Sequence, residues 1–184
     1  MAKSRLRTTV RDMVFSLAVI GVPIAAVFAI EPSKSGDPVH VIDAASFQST
    51  LGAARQSEPF AVLAPVGLPA SWKLTSANYQ LPGDTAADWH VGYLTPDGGY
   101  VSLEQTTQLV SGFLADQHAD ATLAGNVRVS GTAAALWQRY TGTTPSALRT
   151  VLVRTDGKAN VIVAGSAPIA DLEQFAAALS TSGT

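Results

Sequence analysis

Trp89-His90-Val91-Gly92-Tyr93-Leu94-Thr95-Pro96-Asp97-Gly98-Gly99-Tyr100-Val101-Ser102-Leu103-Glu104-Gln105 is the stretch that decides the fold. Trp89, Val91 and Tyr93 alternate with His90, Gly92 and Leu94, which is the period of a strand with one aromatic face. Pro96-Asp97-Gly98-Gly99 supplies the positive-φ positions of a tight turn. Residues 100–105, with Val101 and Leu103 on one side, are therefore expected to return antiparallel to the first strand.

Working outward, Asp156-Gly157 is a strong two-residue turn signal that joins 150–154 to 160–164 as a second hairpin. Shorter extended runs are expected at 39–42, 60–64, 127–130 and 135–141, with another from Trp72 to near Leu81. Three segments carry helical spacing instead. Asp43 is placed to cap a helix bearing Phe47, Leu51 and Ala54, which Glu58-Pro59 ends. Leu109, Val110, Phe113 and Leu114 mark a second helix over 107–117. A third has Pro168 in its first turn, Asp171 and Glu173 near its amino end, and a stripe of Ile169, Leu172, Ala176 and Leu179. No heptad or long repeat is visible. The expected fold class is α+β: a twisted, mostly antiparallel sheet with about three helices packed on one face, spanning 39–181 before a short tail at 182–184.

The amino-terminal region follows different rules. Residues 13–30, MVFSLAVIGVPIAAVFAI, are eighteen positions without a charge. As a helix they extend roughly 27 Å, close to the hydrocarbon thickness of a bilayer. Lys3, Arg5, Arg7 and Arg11 against Asp12 give the first twelve residues +3 and leave −5 for the remainder. The basic cluster precedes the span, so the tail at 1–12 is expected in the cytoplasm and everything from Glu31 outside. A cleaved signal peptide has the same charge layout, and Val27-Phe28-Ala29 offers a small-residue cleavage site. The apolar run, however, exceeds the usual roughly 7 to 15 residues of a signal peptide, and the expectation is a retained anchor. The Pro-, Ser- and Gly-bearing stretch 31–38 reads as a linker.

The chain of 184 residues has no cysteine, 47% apolar residues and 14% charged ones. Disulfide scaffolds, thiolate–metal sites and lipoprotein anchoring are excluded. An acidic body is the opposite of what a nucleic-acid binder needs. There is no nucleophile elbow, zinc-protease pair, phosphate loop or dinucleotide fingerprint. His40, His90 and His118 are scattered among many serines, so no catalytic residue is assigned. Asp116-Gln117-His118-Ala119-Asp120 comes nearest to a metal constellation, but positions i, i+2 and i+4 do not share a helical face. Asp84 and Asp88 read as solubilising loop residues. No metal and no cofactor are expected. Trp72, Trp89, Tyr93, Trp137 and Tyr140 remain as candidate ligand-binding residues, because indoles and phenols can line a groove while donating hydrogen bonds. The alternative for each is a place in the core.

Several stretches carry a family resemblance: Thr9-Val10-Arg11-Asp12-Met13, Ala53-Ala54-Arg55, Pro65-Val66-Gly67-Leu68-Pro69-Ala70-Ser71-Trp72, Trp89-His90-Val91-Gly92-Tyr93 and Tyr100-Val101-Ser102-Leu103. In this order the chain resembles an actinobacterial family of single-pass membrane proteins, domain of unknown function 4245. The resemblance implies location and architecture and brings no activity. The LP-x-x-W turn and final helix are also similar in shape to the ectodomains of some anti-sigma regulators. About twelve cytoplasmic residues are too few to hold a sigma factor.

The expected protein is thus a non-catalytic binding or interaction module of the cell envelope. Its partners are the bilayer, through 13–30, and an envelope protein or glycan. A cell-wall hydrolase and a purely structural subunit of a membrane complex are the alternatives. His90 or His118 within hydrogen-bond reach of both a carboxylate and a serine would move the reading to the hydrolase, and a contiguous exposed apolar patch would favour the subunit.

Overall fold

The computed structural model describes residues 41–81, 83, 85–118, 120–131, 135–142 and 150–181. The basic tail, the expected membrane span and the linker lie outside the described residues, as do His40, Asp84 and the tail at 182–184. Among the described residues no helix is long and apolar enough to cross a membrane.

Local sequence sets the first helix, α1 (Ala44–Ser57). The Asp43 carboxylate accepts from the Ser46 amide at 2.9 Å and from its hydroxyl at 2.7 Å, satisfying a donor that the first helical turn leaves open. Phe47, Leu51 and Ala54 are buried, as their spacing requires. Of the expected strand at 39–42, the described Val41 and Ile42 join no ladder, although the Ile42 amide donates to the Leu74 carbonyl. The run at 60–64 yields only β1 (Ala64–Pro65).

Seven strands build the main sheet: β2 (Lys73–Gln80), β3 (Asp88–Leu94), β4 (Tyr100–Thr106), β5 (Thr122–Val129), β6 (Ala135–Thr141), β7 (Thr150–Asp156) and β8 (Ala159–Gly165). Their order is β2-β3-β4-β8-β7-β6-β5. Every neighbouring pair is antiparallel. Gly98 at φ 79 and Gly157 at φ 62 turn the two expected hairpins. The two meanders meet where β4 pairs β8, aligning Leu103 with Val163. Helix α2 (Val110–Gln117) connects β4 to β5, and α3 (Ile169–Ala178) follows β8. Pro168 stands at the N-cap of α3, one position before the expected first turn. After α3, β9 (Leu179–Ser180) pairs with β1.

The fold is α+β with three helices, but they do not share one face. Trp89, Val91, Leu103, Val161, Val163 and Trp137 pack with residues of α1 and α3 in the larger core. Phe113 of α2 packs instead against Val151, Val153, Ile162 and Ala164, which are the alternate residues of β7 and β8. These two strands are apolar on both sides and so need a layer on each. An eight-residue helix is too short to stand alone and depends on that packing.

Candidate functional site

The second face, beside α2, is polar along β2, β3 and β4. Strand alternation sends Trp89, Val91 and Leu103 into the core, so Asp88, His90, Ser102, Glu104 and Thr106 point the other way. Register then makes neighbours: His90 lies opposite Glu104, Asp88 opposite Thr106 and Gly92 opposite Ser102. On the edge strand a bulge between Leu74 and Ser76 makes Thr75 an extra residue. Leu74 pairs with Tyr93 and faces the core, whereas Ser76 pairs with Gly92 and faces the polar side. In an unbulged strand, residues two apart would share a face. The Thr75 hydroxyl secures the irregularity by donating to the Gly92 carbonyl at 3.1 Å.

Ser76 Oγ therefore sits 2.8 Å from His90 Nε2, and His90 Nδ1 bonds the Glu104 carboxylate. The Tyr100 hydroxyl is 3.5 Å from the same Nε2. Gly92 makes this convergence possible, because a Cβ at that position would collide with both the Ser76 and Tyr100 hydroxyls. Burial alone would lower the His90 pKa. The hydrogen bond and charge of Glu104, joined by the charge of Asp88, outweigh it and hold the imidazole above its ordinary value.

Beside this line a cleft of about 500 Å³ opens between the end of α2 and the sheet, bordered by Asp88, Glu104, Thr106, Gln108, Phe113 and His118 among others. Burial, then repulsion from Glu104, push Asp88 up to about 6, against the pull of His90 and the Thr106 hydroxyl. Glu58, just past α1, has both carboxylate oxygens buried without a hydrogen-bond partner. Burial, then the charge of Asp88, raises its pKa.

His118 is 4% exposed, and neither ring nitrogen has a hydrogen-bond partner. Burial lowers its pKa more than Asp120 raises it, so the ring is neutral at physiological pH. Phe113 lies against it at 5.8 Å between ring centroids. A buried polar side chain without a partner costs stability unless something fills the cleft to meet it. Among the described residues no group of three or more His, Asp or Glu side chains is arranged to hold a metal ion.

None of the five candidate aromatic residues lines the cleft. Trp72 stacks on Phe175 with centroids 6.1 Å apart, and Tyr93 meets the same ring edge-on at 5.6 Å. Trp89, at 0% exposure, stacks on Phe47 and donates its indole N–H to the Leu63 carbonyl at 2.8 Å. Trp137 is equally buried, roofed by the Arg154 guanidinium at 5.1 Å. Tyr140 is the one on the α2 side, where it packs against the smaller core. The structure corrects the reading of Asp88, which is half-buried in the site rather than a solubilising loop residue. Ser76 and Glu104 drew no notice in the sequence. A usable signal existed: with Leu94 closed opposite Tyr100, counting back puts His90 opposite Glu104.

Fold and site together define an antiparallel α+β domain with a small acidic cleft on the less covered face of its sheet. The family model described as a protein of unknown function, DUF4245, matches residues 5–179, and the chain belongs to that family. No curated protein matches it.

Proposed function

We propose that the chain is a membrane-anchored, extracytoplasmic module that binds a small polar ligand in the cleft beside α2 without transforming it. The observation that carries the binding reading is His118, a buried imidazole among the residues that line the cleft, whose two ring nitrogens have no hydrogen-bond partner. The cleft volume falls within the roughly 300–1,000 Å³ of small-molecule sites. A thermal-shift screen of polar small molecules on the full-length chain tests it. Hits that vanish in His118→Phe support the reading; no hits, or hits that the variant retains, refute it. The anchor rests on the uncharged run at 13–30 and the basic residues before it. Protease added to spheroplasts should remove the carboxyl-terminal domain, and a protected domain refutes the placement.

A hydrolase is the second reading: His90 lies within hydrogen-bond reach of both the Ser76 hydroxyl and the Glu104 carboxylate, the arrangement expected from the sequence as the mark of the enzyme. This connectivity is that of a nucleophile, a base and an orienting acid. One feature weighs against it: neither Ser76 nor His90 is among the residues that border the cleft. Labelling of Ser76 by a fluorophosphonate would reverse the order of the two readings.

A further inference from the structure

We infer that the cleft selects a small organic cation, with its ammonium group between Asp88 and Glu104 and its apolar part against Phe113. The inference rests on the binding reading and adds the chemical class of the ligand. Two carboxylates border the cleft, and no lysine or arginine is among the residues that line it. His90 offsets one charge through its bond to Glu104, and the nearby Glu58 adds another negative one. A ligand anion would enter against this field. A neutral ligand would displace water from the acids and return no charge to them.

The acids alone would not make a site. The independent observation is His118, more than nine-tenths buried, without a hydrogen-bond partner and among the residues that line the cleft. As a neutral imidazole it offers one acceptor and one donor, which suits an N–H or hydroxyl on the same ligand without repelling an ammonium group. The polar groups around it are largely committed elsewhere: the Ser102 hydroxyl to the Ala164 carbonyl, that of Thr106 to the Ala87 carbonyl, and the Gln108 amide to Asp116. What the cleft offers besides is negative charge, one imidazole, the Gln117 carboxamide and the Phe113 ring.

Calorimetry on the full-length chain in detergent tests the inference with matched probes: tyramine against tyrosol, and putrescine against butane-1,4-diol. Each pair differs mainly in ammonium versus hydroxyl. At least one cation should bind roughly tenfold or more tightly than its neutral partner, as a charge-assisted hydrogen bond provides. Asp88→Asn and Glu104→Gln should each erode that preference, and His118→Phe should weaken both members of the pair. Thermal melting of the variants establishes that they are folded. Equal binding of cation and neutral partner, lost in His118→Phe, overturns the cation inference and leaves the binding reading standing. No binding of any probe up to about 10 mM overturns the inference and counts against the binding reading. Binding that survives all three substitutions places the ligand elsewhere and overturns both.

Discussion

The carboxamide of Gln105 accepts from the Leu63 amide at 2.6 Å and thereby stands in for a strand that is not there. Its nitrogen donates to the Ala61 carbonyl at 3.1 Å, and the Trp89 indole donates to the Leu63 carbonyl at 2.8 Å. The apolar segment at 61–63 is thus pinned to the sheet by side chains rather than by a ladder. Gln105→Leu should leave the buried Leu63 amide unpaired and cost about 2–3 kcal/mol in urea unfolding. A loss under about 0.5 kcal/mol would show that the segment is held by packing alone.

Gly92 leaves room where the Ser76 and Tyr100 hydroxyls converge. Gly92→Ala should destabilise the fold by about 1–3 kcal/mol through overcrowding. Combining it with Ser76→Ala and Tyr100→Phe should recover much of that loss. Failure to recover it would locate the strain in the backbone instead.

Asp88 gives the fold a pH dependence of known sign. An acid whose folded pKa is raised binds its proton more tightly when folded, so its ionisation destabilises the fold progressively as pH rises from 3.8 to about 6. His90 acts in the same direction at higher pH: its stabilisation is present below 6.5 and is lost as pH passes its raised folded value. Asp88→Asn should therefore be more stable than the parent at about pH 7 and no more stable near pH 4, as read from denaturation midpoints. The opposite ranking would mean that Asp88 is paired and not repelled.

Arg154 lies over the ring of Trp137, which belongs to the larger core. Arg154→Ala should shift tryptophan emission to the red and cost about 1–2 kcal/mol, from lost stem packing as well as the cation–π contact. Unchanged emission would mean that other groups shield the ring.

His118 lines the cleft with both ring nitrogens unpartnered, and that arrangement weighs on stability. His118→Phe removes two unpartnered nitrogens and is expected to raise stability by about 1 kcal/mol while weakening binding of the proposed ligand. A clear loss of stability would indicate that the ring nitrogens are already satisfied.

Features set by nearby residues were legible in the sequence: the Asp43 cap, the turns at Gly98 and Gly157, and the alternation of β3. What depended on distant partners was not. The joining of β4 to β8 relates residues about sixty positions apart, and no local pattern announces it. The side taken by α2 follows from the apolar run at 161–164, whose lack of alternation already marks a strand covered twice. The bulge at Thr75 hides Ser76, because Leu74 and Ser76 look like same-side neighbours until one residue is taken out of step. Trp72, Trp89 and Trp137 lie in the larger core and Tyr93 and Tyr140 are half-buried, while the cleft is lined by amides, acids and the histidine after α2.

Alternation along β3 and β4 also divides two duties between odd and even positions. Trp89, Val91, Val101 and Leu103 pack in the larger core, while Asp88, His90, Ser102 and Glu104 stand on the opposite, polar face. The odd positions therefore bear the packing of the larger core, and the side chains at 88, 90, 102 and 104 are held apart from it on the opposite face.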